Sequence, residues 1–545
     1  MYIRTKKTKD YTYLQIVESK REGKKVKQRV LVTLGRLEKL QANGSIETLI
    51  KSLSRFSKET LLVLTGKSNP DVKAKKWGPA LIFERLWKTT GIKETITEMV
   101  GSRKFEFDVE RAIFVSVLHR LLVSGSDRYC DQWHSDYKIS GVSGLSLHHF
   151  YRAMAFLGEE LTDTKDACFS PRRTKDIIEE KLFLTHRDLF TDLELVFFDT
   201  TSLYFEGKGG QSIVQHGNSK DHRPDLKHMV VGVILDNHGR PICCEMWPGN
   251  ITDVKTLIPI VKRLKNRFSI GRICIVADRG MISKSILDWL EDPDNNMEYI
   301  LGARLRRVNE IKQDVLSRGG RYKEVYPEGI KSKDPSPLKV KEVKIEDRRY
   351  IVCLNSKQAR KDAADREAII SSLECALKQG AKTLVGNKGY RKYLKVQRGS
   401  VSINTDKIKS EERFDGKWVL RTNTKLSAAQ VALKYKELWQ VEHIFRSMKS
   451  LLDTRPIYHQ RDDTITGHVF CSFLALVLYK ELEHQLHLSG HDFEWQQIKQ
   501  DLKAMQEIIV DENGNKFALR TQCSGVCGNI FQAVGVAIPP TIRSL

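Results

Sequence analysis

The chain has 545 residues, with 91 lysines and arginines against 68 aspartates and glutamates, a net charge of +23 and a pI near 9.4. That length leaves room for about three to four domains of roughly 150 residues. A positive excess spread along the whole chain exceeds the roughly 2 to 8 charges that solubility asks of a small domain and points to a polyanionic partner. The ten cysteines follow no even framework and no signal peptide is read at the start of the sequence, so a protein of a reducing, cytoplasmic setting is expected.

Residues 1 to 40 alternate in strand fashion, with Tyr11 to Val17 and Val26 to Leu34 flanking a turn at Gly23, and read as a small basic hairpin. A short helix from about Ile46 to Phe56 completes an N-terminal unit over 1–66, and the polar stretch Lys67 to Lys76, holding Asn69-Pro70, reads as a linker. Over 78–165 apolar residues recur at helical spacing (Leu81, Ile82, Leu86, then Ile113, Val117, Leu118, Leu121, Leu122), which predicts a helical domain.

From about Asp192 the pattern turns to strands. One ends at Asp199, a second runs Met229 to Leu235, the turn Asp236 to Gly239 reverses the chain, and a third covers Ile242 to Met246. A helix from about Val254 to Arg267, capped by Asp253, leads to a strand from Arg272 to Ala277 that delivers Asp278. A second helix from Ser283 to Leu290 and a strand at Tyr299 to Leu301 follow. The order βββαβαβ is that of the α/β ribonuclease H-like fold, in which the first and fourth strands are neighbours, so Asp199 and Asp278 are expected side by side. This first part of the fold occupies 190–304. Residues 305–424 read as a strand-rich insertion: Leu338 to Ile345 and Arg349 to Leu354, a charged helix from Gln358 to Lys378, and a hairpin signal at Asp415-Gly416 before Lys417 to Leu420.

Ser427 and Gln430 form a capping box that opens a long helix expected to reach Leu452, within a second catalytic part over 425–488. Val431, Tyr435, Leu438, Glu442, Phe445, Lys449 and Leu452 fall on one face of it, which places Glu442 and Lys449 on a buried stripe. Seven residues, about 10 Å of helix, separate that pair, too far for a close contact. The apolar run Val469 to Tyr479 is shorter than the roughly 20 residues a bilayer demands and reads as a core helix, with no membrane partner. Residues 489–545 form a C-terminal region.

Asp199, Asp278 and Glu442 thus stand where the surrounding sequence builds core. Lone buried charges are costly, and three carboxylates with no matching lysine or arginine beside each suggest a bound metal. Tyr435, Glu442 and Lys449 match the Y-x2-R-x3-E-x6-K spacing of DDE insertion-sequence transposases of the insertion-sequence-four group, Leu438 alone departing where that group has arginine. Asp199-Thr200-Thr201-Ser202 and Ala277-Asp278-Arg279-Gly280 resemble that group's first two motifs, and His216 to Leu226 resembles a subgroup with longer chains.

The resemblance covers about 190–480 and implies a ribonuclease H-like domain interrupted by a strand-rich insertion before the glutamate. It also implies cut-and-paste transposition: binding of terminal inverted repeats, cleavage of the DNA ends, and joining of a 3′-hydroxyl to target DNA. In-line phosphoryl transfer is served by two divalent ions about 3.5 to 4 Å apart, here Mg2+ with Mn2+ as a substitute, with Asp199 bridging them and Asp278 and Glu442 holding one each. Tyr435 and Lys449 would contact phosphates near the cleaved strand, and Arg446 or Arg279 would take over from the absent arginine. Trp418 could stack on a displaced base, and Lys220, Arg223 and Lys227 could line the DNA path. Residues 1–40 and 78–165 are the expected readers of double-stranded DNA, and a homodimer contact is expected after Ser489. A ribonuclease H-like nuclease that cuts without joining, or an inactive DNA-binding regulator, would carry the same acids and charge.

Overall fold

The computed structural model describes residues 1–22, 25–54, 71–101, 103–161, 171–186, 194–268, 272–295, 297–326, 338–379, 391–397, 400–512 and 515–545. The expected turn at Gly23, the linker at Asn69-Pro70 and the end of the first helix at Phe56 lie outside them.

The N-terminal hairpin is a three-stranded antiparallel sheet: β1 (Tyr2–Thr8), which the sequence reading missed, joins β2 (Tyr11–Glu22) and β3 (Lys25–Arg36). Helices Leu37–Ala42 and Ser45–Ser54 follow. β4 (Asp71–Lys76) corrects part of the expected linker, because it forms the edge of a second sheet whose other strands lie at the far end of the chain. Helices Gly78–Thr89, Ile92–Val100, Val109–Leu122, Asp127–Trp133 and Leu147–Gly158 build the expected helical region, and every residue of Val109–Leu122 is buried.

The large sheet begins with β5 (Glu194–Tyr204), β6 (His228–Leu235) and β7 (Pro241–Pro248), an antiparallel meander. β8 (Ile273–Ala277) and β9 (Met297–Gly302) then add in parallel on the other side of β5, giving the order β7-β6-β5-β8-β9 of the ribonuclease H-like core. Helices Leu257–Phe268 and Lys284–Glu291 cover one face through Leu257, Val261, Ile286 and Leu290.

The insertion does not stand apart. Its strands β10 (Lys323–Val325), β11 (Leu338–Ile345) and β12 (Arg348–Asn355) belong to the same sheet, while β13 (Leu394–Gln397) and β14 (Ser400–Ile403) form a separate hairpin. β15 (Lys417–Thr422) returns between β12 and β9, so nine strands run β10-β11-β12-β15-β9-β8-β5-β6-β7. Asp415-Gly416 therefore turns the chain from a helix into an interior strand, not through a hairpin.

The opposite face carries the expected capping box, with Ser427 and Gln430 bonded reciprocally. The long helix it opens is broken into Ala428–Lys436, Trp439–Arg446 and a wider π turn at Ser447–Leu451. Helix Asp462–Leu488 then passes through the largest core and packs on Leu147–Gly158. The crossing is close enough that a Cβ on Gly467 would lie 1.9 Å from the Met154 carbonyl oxygen, and one on Gly158 2.0 Å from that of Asp463. By length and composition this helix could cross a membrane, but 83% of its apolar window is buried in the protein.

β16 (Gln506–Glu512), β17 (Asn515–Arg520) and β18 (Ile542–Ser544) complete the sheet begun by β4. One core cluster accordingly joins the helical region, one face of the large sheet and residues past Ser489, including Leu502, Met505 and Phe531.

Candidate active site

β5 and β8 run parallel with Phe198 opposite Ala277, so the next residues, Asp199 and Asp278, emerge at neighbouring positions. Asp199 lies within its strand, not at its end, because β5 continues beside β6 as far as the Tyr204–His228 pair. Strand alternation sends Asp199 to the face shared with Phe197 and Leu203, where Val441, Ile444 and Phe445 of the Glu442 helix also pack.

Asp199 is largely enclosed, its side chain 22% exposed, and its Oδ1 accepts the Thr200 N–H at 2.7 Å. Burial pushes its pKa from 3.8 to about 6. The Lys220 charge and the Thr200 N–H oppose the shift, while Asp278 and Asp253 add to it. Tyr435 Oη donates to Asp278 Oδ1 at 3.0 Å. Burial and then the Asp278 charge raise the tyrosine's own pKa, so it remains a donor. Gly302 makes room for this contact, since a Cβ there would stand 2.3 Å from Tyr435 Oη.

Asp253 and Lys220 take places the sequence reading did not give them. Asp253, expected to cap a helix, begins a short turn instead, and its carboxylate accepts from Thr200 Oγ1 at 2.7 Å. Lys220, expected on the DNA path, is the cation among these acids: its Nζ lies 3.1 Å from Asp253 Oδ2, 3.9 Å from Asp199 Oδ1 and 2.7 Å from the Thr200 carbonyl oxygen. Its neighbour Asp221, 4% exposed, receives both Lys449 Nζ and Arg455 Nη1 at 2.7 Å. Ser219-Lys220-Asp221 was legible only as a motif, because contacts between segments so distant in the chain leave no local periodicity.

Glu442 is exposed, a correction to its expected place on a buried stripe. At the helix break Leu438, Gln440 and Val441 donate their N–H groups to carbonyls three residues back. Such turns advance about 120° per residue where an α-helix advances about 100°, which rotates the following segment and swings Glu442 off the stripe. No hydrogen bond or ion pair among the described residues engages its carboxylate. Lys449 remains half-buried but is committed to Asp221, and burial lowers its pKa.

The remaining candidates divide. Leu438 is buried in the main core, 7% exposed, and offers DNA nothing. Arg279 and Arg446 are exposed, and Lys227 is exposed where the chain enters β6. Arg223 pairs with Asp225 at 2.9 Å and lies over the Tyr204 ring. Trp418 sits on interior strand β15, not on a hairpin, half-buried against the main core.

The donors Asp199, Asp278 and Glu442 suit a hard divalent ion, being all oxygen, and the pKa of Asp199 is raised by burial first and by the neighbouring Asp278 and Asp253 charges last. They are not drawn together as tightly as two other groups, Asp127/His459/His468 and Glu179/Cys243/Glu245, whose ligand-type atoms lie within 4.8 Å of one another. Both of those enclose a buried internal cation: Arg120 Nη2 is 2.9 Å from Asp127 Oδ1 and from His468 Nδ1, and Lys175 and Arg267 pair with Glu179. Lys220 differs in being 32% exposed, free to swing away from its acids.

Residues 191–478 match the family model described as transposase DDE domain, and residues 3–68 match IS1634 family transposase, N-terminal domain. Among solved structures, piggyBac transposase in a synaptic complex with hairpin DNA aligns at 12% identity over 78% of this chain and 79% of that one, with a TM-score of 0.41. No curated protein matches.

Proposed function

The chain belongs to the DDE transposases, whose domain model spans more than half of it, and from that premise we propose that it moves its element by cut-and-paste, with Asp199, Asp278 and Glu442 as the catalytic acids. The observation that carries the assignment is the adjacency of Asp199 and Asp278 on parallel strands, with the uncommitted Glu442 on a helix over the same sheet face.

Mg2+, or Mn2+ in its place, would be held by these three carboxylates and would stabilise charge on the attacking and departing oxygens. The chain's own groups set up the rest. The Thr200 N–H fixes one oxygen of Asp199, and the Tyr435 hydroxyl fixes one oxygen of Asp278, which would leave the second oxygen of each to a metal. Lys449 and Arg455, converging on Asp221, supply positive charge beside the path of the strand.

The element's terminal inverted repeats are the natural ligand of the basic N-terminal sheet and of the helical region, and pairing of two ends calls for a homodimer on DNA. The protein would then act where its element lies, on prokaryotic chromosomal DNA in the cytoplasm. The N-terminal unit, helical region, insertion-bearing catalytic part and C-terminal strands divide this work.

The test incubates purified protein with duplexes from the element's ends, target plasmid and Mg2+, beside Asp199→Asn and Glu442→Gln. Cleaved ends and joined products from the parent alone support the reading. Cleavage without joined product would reduce it to a nuclease, and equal products from Glu442→Gln would remove that residue from the site.

A further inference from the structure

One residue past the end of β9 the chain reads Arg304-Leu305-Arg306-Arg307, and these residues, with Arg279 and Gly280 from the turn after Asp278, line a cavity of about 340 Å3. Four arginines thus line one small space and no acidic residue does. Arg304 is spent on structure, donating through Nε and Nη2 to the carbonyls of Arg279 and Gly280 at 3.1 Å, which ties the two segments together. Arg306 pairs with Glu411 at 2.9 Å outside the cavity. Arg279 and Arg307 are exposed and make no side-chain hydrogen bond or ion pair among the described residues. Like charges gathered without a counter-ion repel one another, and the arrangement is relieved when an anion enters.

The cavity's position says which anion. Arg279 follows Asp278 directly, and the cleft abuts the Tyr435–Asp278 pair: a Cβ on Gly302 would lie 3.2 Å from the Arg279 backbone nitrogen and 2.3 Å from Tyr435 Oη. We propose that this arginine cleft is a subsite for a backbone phosphate of the DNA strand, next to the phosphate cut at Asp278, and that Arg279 and Arg307 do there the work for which Leu438 is unsuited. Guanidinium forks match phosphate oxygens in pairs. The proposal rests on the transposase reading and names the protein groups that grip its substrate.

The test measures binding of full-length protein to an end duplex without divalent ions across a salt series, for the parent, Arg279→Gln, Arg307→Gln and the double variant. The double variant should bind about tenfold more weakly at 0.1 M salt, with a salt slope shallower by about 1, at an unchanged melting temperature. Replacing single phosphates near the cleavage point by neutral methylphosphonates should then find one position that weakens the parent and leaves the double variant unaffected. Equal losses in both proteins at every position, or an unaltered salt slope, would overturn the proposal. So would stabilisation by inorganic phosphate that is lost in the double variant while DNA affinity stays the same, since that marks a small-anion site. If the parent prefers end DNA no more than an unrelated duplex, end recognition falls, and the salt slope still judges the cleft.

Discussion

Replacing Asp199 by asparagine should make the metal-free protein more stable. The folded protein holds the Asp199 proton at about 6 against an ordinary 3.8, so the folded state binds protons more tightly than the unfolded chain between those values. Stability from this group therefore falls as pH rises through that window, and above it the ionised side chain costs about 3 kcal/mol. Asparagine removes the charge while keeping an oxygen for the Thr200 N–H. In a chelating buffer at pH 8 the variant should melt about 3 °C above the parent if the chain unfolds as one unit, and the gap should close toward pH 4. Adding Mg2+ should raise the parent and leave the variant unmoved. Thermal melts over that pH range with and without Mg2+ decide it, and a variant that melts at or below the parent at pH 8 in chelator would falsify the electrostatic account of the site.

Lys220→Met removes the ammonium that shares Asp199 and Asp253, and should tighten Mn2+ binding without DNA about five- to tenfold, roughly 1 kcal/mol, as read by titration calorimetry. Unchanged affinity would mean that the lysine does not compete for that space. Gly302→Ala should displace the Tyr435 hydroxyl from Asp278, lowering the cleavage rate about tenfold with little change in melting, because the hydroxyl stands 2.3 Å from the added methyl. Glu179→Gln leaves Lys175 and Arg267 short of a buried partner and should cost about 3 to 5 kcal/mol in denaturant unfolding. A loss below about 1 kcal/mol would show the network to be replaceable.

How much of this was legible depended on whether local pattern or distant partners decided the outcome. The strands that lead to Asp199 and Asp278 were readable from the apolar runs before each acid, although β5 continues past Asp199 to Tyr204, and their order carried the topology. β4 was not, since a lysine-rich hexamer becomes a strand only through its pairing with Gln506–Glu512. The Glu442 helix was readable in type and capping but not in phase, because the tightened turn at Leu438 alters a rotation that periodicity assumes constant. Lys220 and Asp253 needed the fold itself to bring together segments with no shared spacing. Of the insertion's strands β11, β12 and β15 were recognised and β10, β13 and β14 were not, and the membership of β11, β12 and β15 in the central sheet depends on the Leu420–Gly302 register.

The pairing of β4 with β16 also bears on synthesis. Ribosomes add about 5 to 20 residues per second, so Asp71–Lys76 waits roughly 20 to 90 s for the strand at Gln506–Glu512 to be made. During that time an open strand edge is exposed in a crowded cell, and Lys73, Lys75 and Lys76 are the kind of side chain that discourages foreign chains from annealing to it. The lysines that looked like linker filler thus act as a temporary guard, and exchanging them for threonines should leave the finished protein sound while more of the newborn chain is lost to aggregates.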